Sequence, residues 1–243
     1  MPRGNNDYGN PDYSFFTVET PTGDLFAERL GFSRLDNRGR ILWMDDFASS
    51  LSRWGADADA GGVIPVHTYG VVDAIGYSGS VKIDPLVNGG SSMLYKPFLL
   101  PVTRRMGIEA GIYLNSNFGR ININLQHCVT QGAGYSASLY INNQTAELYI
   151  TTSGGNHTLI IPSSVSDYVN KWIGVKLVAN FETGKYERVM IANTQYDLSA
   201  YGMTTGVSGL SGSTYAEISD EGRSVTYKEE MYLGYVVISG DEP

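Results

Sequence analysis

Glu217, Asp220 and Glu221 form the tightest group of carboxylates in this sequence that could do acid–base work. A glycosidase built on strands needs its acids at i, i+2 and i+4, because alternate residues of a strand share a face and so point into one cleft. The i, i+3, i+4 spacing here cannot place all three on one face of a regular strand. Gly222 follows as in a loop, so the expected setting is a solvated acidic turn.

Other reactive residue types are scattered. Gly76-Tyr77-Ser78-Gly79 and Gly206-Val207-Ser208-Gly209 lack the spacing of a nucleophile elbow, and Gly209-Leu210-Ser211-Gly212 lacks the lysine of a phosphate loop. His67, His127 and His157 are far apart in sequence. His127 continues the apolar alternation of Ile121, Ile123 and Leu125, which predicts a hydrogen-bonded core or rim histidine. Cys128 is the single cysteine, so neither an intrachain disulfide nor a cysteine-based zinc site can form, and its expected role is that of a small buried hydrophobe. Asp57-Ala58-Asp59-Ala60-Gly61-Gly62 begins like a calcium loop, but Thr68 stands where a bidentate Glu is required.

One surface is richer. Glu109, Tyr113, Asn122, Asn124 and Gln126 fall on the polar faces of two alternating segments, and would share one sheet if those segments paired. Amides beside an aromatic ring suit glycan binding; the same alternation also describes an ordinary solvent-facing sheet.

Composition limits what positions these residues. The chain has 243 residues, 17% charged, with 29 Gly and 17 Tyr, which favours strands joined by tight turns. Its net charge of −8 opposes wrapping a polyanion, so no nucleic-acid partner is expected. No apolar run reaches the roughly 20 residues of a membrane-spanning helix, and no signal peptide is visible, so membrane insertion is not expected either. Two sequons, Asn143-Gln144-Thr145 and Asn156-His157-Thr158, read as turn chemistry.

The elements follow from period-two patterning. Met106, Ile108, Ala110, Ile112 and Leu114 make one strand face. Tyr135 to Ile150 reads as two strands around an Asn142-Asn143-Gln144 turn. Trp172 to Phe181 and Tyr186 to Ala192 read as a hairpin with Gly184 at positive φ. Met231 to Ser239 is apolar enough for a central strand, and Ser163 to Lys171 could form a helical turn or two. About a dozen strands are expected, one per turn signal. Residues 1 to 39 alternate turn formers with aromatics; Tyr8, Tyr13, Phe15, Phe16 and Phe26 are spaced too irregularly for one amphipathic element, which suggests an arm that adheres to its own sandwich or to a neighbour.

Three passages resemble the concanavalin A-like, or laminin G-like, jelly-roll superfamily. They are Ile41-Leu42-Trp43-Met44-Asp45-Asp46-Phe47 with Leu51, Trp54 and Gly55; Leu177 to Leu198; and Tyr232 to Ile238, which looks like the strand returning beside the first. The resemblance implies an all-β, two-sheet antiparallel sandwich over residues 40–243. It also implies a structural calcium near the first strand, to which Asp45 or Asp46 would contribute oxygens, unless they only cap the strand end. The overall type is similar to domains of tailed-phage virion proteins. That implies a non-enzymatic structural subunit on the virion surface, in capsid decoration, head fibre or tail, with other virion or scaffold proteins as partners, a homo-oligomeric or multi-copy assembly, and surface glycan as a further ligand. The rivals are an extracellular lectin-like carbohydrate-binding module and a glycan hydrolase or lyase.

Overall fold

Alternation of apolar and polar residues lets each strand bury one face only, so the stable arrangement is two sheets with their apolar faces together. In the computed structural model the described residues are 39–47, 50–59, 61–68, 79–85, 89–99, 104–114, 119–130, 133–142, 147–161, 170–192, 194–206, 213–222 and 231–242. They form β1 (Arg40–Asp45), β2 (Gly55–Asp59), β3 (Val63–Thr68), β4 (Ser80–Asp84), β5 (Ser91–Leu99), β6 (Arg105–Leu114), β7 (Arg120–Thr130) and β8 (Ala133–Asn142). The second half adds β9 (Glu147–Thr151), β10 (His157–Ile161), β11 (Lys171–Asn180), β12 (Lys185–Ile191), β13 (Thr194–Asp197), β14 (Thr204–Thr205), β15 (Ser213–Glu221) and β16 (Met231–Gly240).

The first sheet runs β13-β12-β11-β6-β16-β4-β3, with β1 also on β16; the second runs β10-β9-β8-β7-β15-β5-β2, with β14 also on β8. All of the pairings are antiparallel. The expected return of the last strand beside the first is present, since Arg40 pairs with Gly240 and Asp45 with Val236. Every residue of β16 is buried, as its unbroken apolar run implied. The hairpin between β11 and β12 also forms as read, with Gly184 at φ 68°.

The core is one layer between the sheets. From the first sheet come Met106, Ile108, Ile112, Ile173, Val175 and Leu177; from the second, Ile121, Ile123, Leu125, Leu139 and Ile150. A polar tie crosses this layer. Tyr186 of β12 donates its hydroxyl to the Thr151 carbonyl at 2.6 Å and accepts the Ser138 N–H at 3.0 Å, both on the opposite sheet. His127 is fully buried, as its alternation predicted, with Nδ1 2.8 Å from the Thr214 hydroxyl and its ring edge-on to Phe181. Cys128 beside it is buried too.

The expected arm, with Tyr8, Tyr13, Phe15, Phe16 and Phe26, lies outside the described residues, as do Asn143, Gln144 and most of the expected helical turn at 163–171. Lys171 of that last segment opens β11.

Two measurements check this core. Leu177→Ala should cost about 2–5 kcal/mol in denaturant unfolding, because the side chain is 1% exposed and truncation leaves a cavity. A loss below about 1 kcal/mol would place Leu177 outside the core. Burial holds the His127 imidazole below its ordinary 6.5. The unfolded chain therefore binds more protons below that value, and stability falls as pH drops through the window under 6.5. His127→Asn should flatten the stability profile between neutral and mildly acidic pH, whatever its absolute stability.

Candidate functional site

The strand pairing divides the surface that the sequence suggested. Glu109 and Tyr113 lie on β6 in the first sheet, whereas Asn122, Asn124 and Gln126 lie on β7 in the second. The five residues do not share one face, because the chain passes from one layer to the other between Leu114 and Arg120. On the first sheet Glu109 Oε1 accepts the Tyr235 hydroxyl at 2.9 Å, and the Tyr113 ring is held between Trp172 and Tyr232 at centroid distances of 5.7 and 6.2 Å. Both side chains serve the packing of that outer face.

The outer face of the second sheet gathers a different set. Ala216 and Ile218 of β15 face the core, so Tyr215, Glu217 and Ser219 face outward. Register then sets Glu217 between Asn124 on β7 and Tyr95 on β5, Tyr215 beside Gln126, and Ser219 beside Asn122. Tyr95 and Tyr215 stack with centroids 5.7 Å apart and planes 21° from parallel. Gly55 on β2 supplies the space for this pair: a Cβ there would come within 2.3 Å of the Tyr95 ring. Asn124 is fixed by the Ser136 and Ser138 hydroxyls, which donate to its Oδ1 at 2.8 and 3.1 Å. Asn124 is itself largely buried, while Asn122 and Gln126 on the same face are partly exposed.

The electrostatics of this face are acidic. Burial pushes the Glu217 carboxyl up, against a hydrogen bond from Ser219 at 3.4 Å. Burial, with Glu217, Tyr95 and Asp57 nearby, pushes the Tyr215 phenol up to about 12. Farther along the sheet, Tyr140 and Tyr149 stack at 4.8 Å, His157 meets Tyr140 edge-on, and the Arg120 guanidinium lies 4.3 Å from the Tyr140 centroid. Arg120 is also 3.6 Å from Glu221.

The acidic triplet differs from the expected turn: all three residues belong to β15. The regular strand separates them as the spacing required, with Glu217 and Glu221 outward and Asp220 fully buried. Tyr95 and Tyr215 are not singled out by the sequence reading, and Glu217 enters it only as part of an acidic turn. The alternation Tyr215-Ala216-Glu217-Ile218-Ser219 carried the signal, but Gly222 drew attention to a loop.

At the first strand, Asp45 is a structural clamp. Its Oδ1 accepts the Phe47 N–H at 2.9 Å and its Oδ2 accepts the Trp54 indole N–H at 3.2 Å. This caps the strand end and ties Asp45 to Phe47 and Trp54. Phe47 sits at φ 51°, its ring 5.8 Å from Trp54 and tilted 38° to it. Asp46 beside it is half-buried. Among the described residues no group of three His, Cys, Asp or Glu side chains is placed to hold a metal ion. Asp57 and Asp59 lie on β2, where Gly62 donates to the Asp59 carbonyl at 2.9 Å, so the calcium-like opening is the end of β2 and the turn that leads to β3 in the other sheet.

No family model and no curated protein matches the chain. Among solved structures it is similar to a carbohydrate esterase of the Shiga toxin-encoding bacteriophage phi24B, at 14% identity and TM-score 0.56, over 84% of this chain and 100% of that one. It is also similar to lectin I-B4 from Griffonia simplicifolia, at 8% identity and TM-score 0.52, over 82% of this chain and 99% of that one. These likenesses are of fold, and they agree with the pairing pattern: the chain folds as a concanavalin A-like jelly roll.

Proposed function

We propose that this protein is a non-enzymatic adhesion module of a virion surface that binds glycan on the outer face of its second sheet. The observation that carries the reading is the stacked Tyr95–Tyr215 pair set beside the amides of Asn122, Asn124 and Gln126. An aromatic face packs against the C–H surface of a sugar ring, while amides and carboxylates fix its hydroxyls, so apolar area and orientation come from adjacent residues. The phage esterase and the plant lectin share the fold, which is compatible with this use; the virion setting rests on the sequence type.

The spacing of the carboxylates favours binding over hydrolysis. Glu217 and Glu221 share the outer face but are four residues apart, or about 13 Å along a strand. Glycosidase pairs stand roughly 5–9.5 Å apart. Glu221 is moreover engaged by Arg120.

The test is a glycan array probed with the intact chain and with Tyr215→Ala. Specific binding that drops about tenfold or more in the variant is expected, since an interfacial aromatic anchor commonly contributes about 2 kcal/mol. Absence of any specific glycan would remove the reading, and retention of full binding by Tyr215→Ala would move the site elsewhere.

A further inference from the structure

Glu217 stands out on this face because no cation among the described residues offsets it. Lys96, one residue from its register neighbour Tyr95, points the other way and donates to the Arg53 carbonyl at 2.6 Å. Arg120 is committed to Glu221 and to the Tyr140 ring. Around Tyr215 the charged neighbours are Glu217 and Asp57, both acidic. The Ser219 hydroxyl, at a long 3.4 Å, is the hydrogen bond Glu217 receives among the described residues. A carboxylate held half-buried without a counter-charge is costly, and it is relieved most by a ligand that brings a positive charge and donor hydrogens. The stacked tyrosines beside it offer the ring faces on which ammonium groups are favoured. A uronate or other acidic sugar would meet like charge at the same place.

We propose that Glu217 makes the face selective for glycans that carry a protonated amine, such as a de-N-acetylated hexosamine chain, over neutral and acidic glycans of the same length. The inference rests on the glycan-binding reading above and adds the ligand's charge class. In it the ammonium sits between the Glu217 carboxylate and the Tyr215 ring, while neighbouring hydroxyls meet Asn124 and Gln126.

Calorimetric titration of the full chain with fully deacetylated chitotetraose, its N-acetylated form and tetragalacturonate tests it. The deacetylated probe should bind about tenfold tighter or better than the acetylated one, the effect of one charge-assisted hydrogen bond. Glu217→Gln should abolish that preference, so that the deacetylated and acetylated probes bind the variant with equal affinity. Asp241→Asn, at an exposed acid paired with Arg40 on the other sheet, should preserve it, which separates a local contact from attraction to an acidic protein. Equal affinity for the two chito-oligosaccharides, tighter binding of the galacturonate, or equal loss in both variants overturns the selectivity while the glycan-binding reading stands. Failure of these probes together with a blank array overturns both.

Discussion

One apolar layer shared by two sheets is the constraint on which everything else depends. Most inward positions of the described strands are spent on it, from Met106 and Leu177 on one side to Ile123 and Leu139 on the other. Polar groups that enter this layer are anchored by specific contacts, as at Tyr186 across the core, at His127 through its Nδ1, and at Asp45 at the layer's end. Because the inward positions carry the folding energy, the outward positions of the same strands are free to carry recognition.

The two outer faces use that freedom differently. On the first sheet, Tyr235 packs down over Gly111, where a Cβ would come within 2.2 Å of its ring. Beside it Glu242 is buried between Lys176 at 2.8 Å and Arg188 at 2.7 Å, and also takes the Ser239 hydroxyl. Such a buried ion group fixes geometry more than it adds stability, and losing one partner would strand the other charges. This face is organised around its own contacts. The second sheet instead holds Tyr95, Tyr215, Asn122 and Gln126 partly exposed, beside the more buried Asn124, Tyr140 and Ser219. A rigid layer beneath them keeps that array in place without a ligand, which lowers the ordering cost of binding.

Strand content was legible because period two is written directly into segments such as Met106 to Leu114 and Ile121 to Leu125. The closing strand was legible because a run apolar on both faces needs neighbours on both sides. Which strands pair was not legible. Asn122 and Glu109 have the same local pattern, and only the crossing after Leu114 places them on opposite sides of the molecule. The neighbours of Glu217 were hidden for the same reason: Tyr95 and Asn124 reach it through non-local register, over 90 residues of intervening chain. The Asp45 clamp shows the converse case, in which a motif was visible but its role, to hold a tryptophan nine residues on, needed the geometry.

The central claim is that the outer face of the second sheet, and not that of the first, receives the ligand. Chemical-shift mapping of the full chain with a bound glycan tests this most directly. The account predicts perturbations centred on Tyr95, Asn122, Asn124, Tyr215 and Glu217, with Glu109, Tyr113 and Tyr235 unmoved. Shifts centred on Glu109, Tyr113 and Tyr235 with the second sheet silent would contradict it.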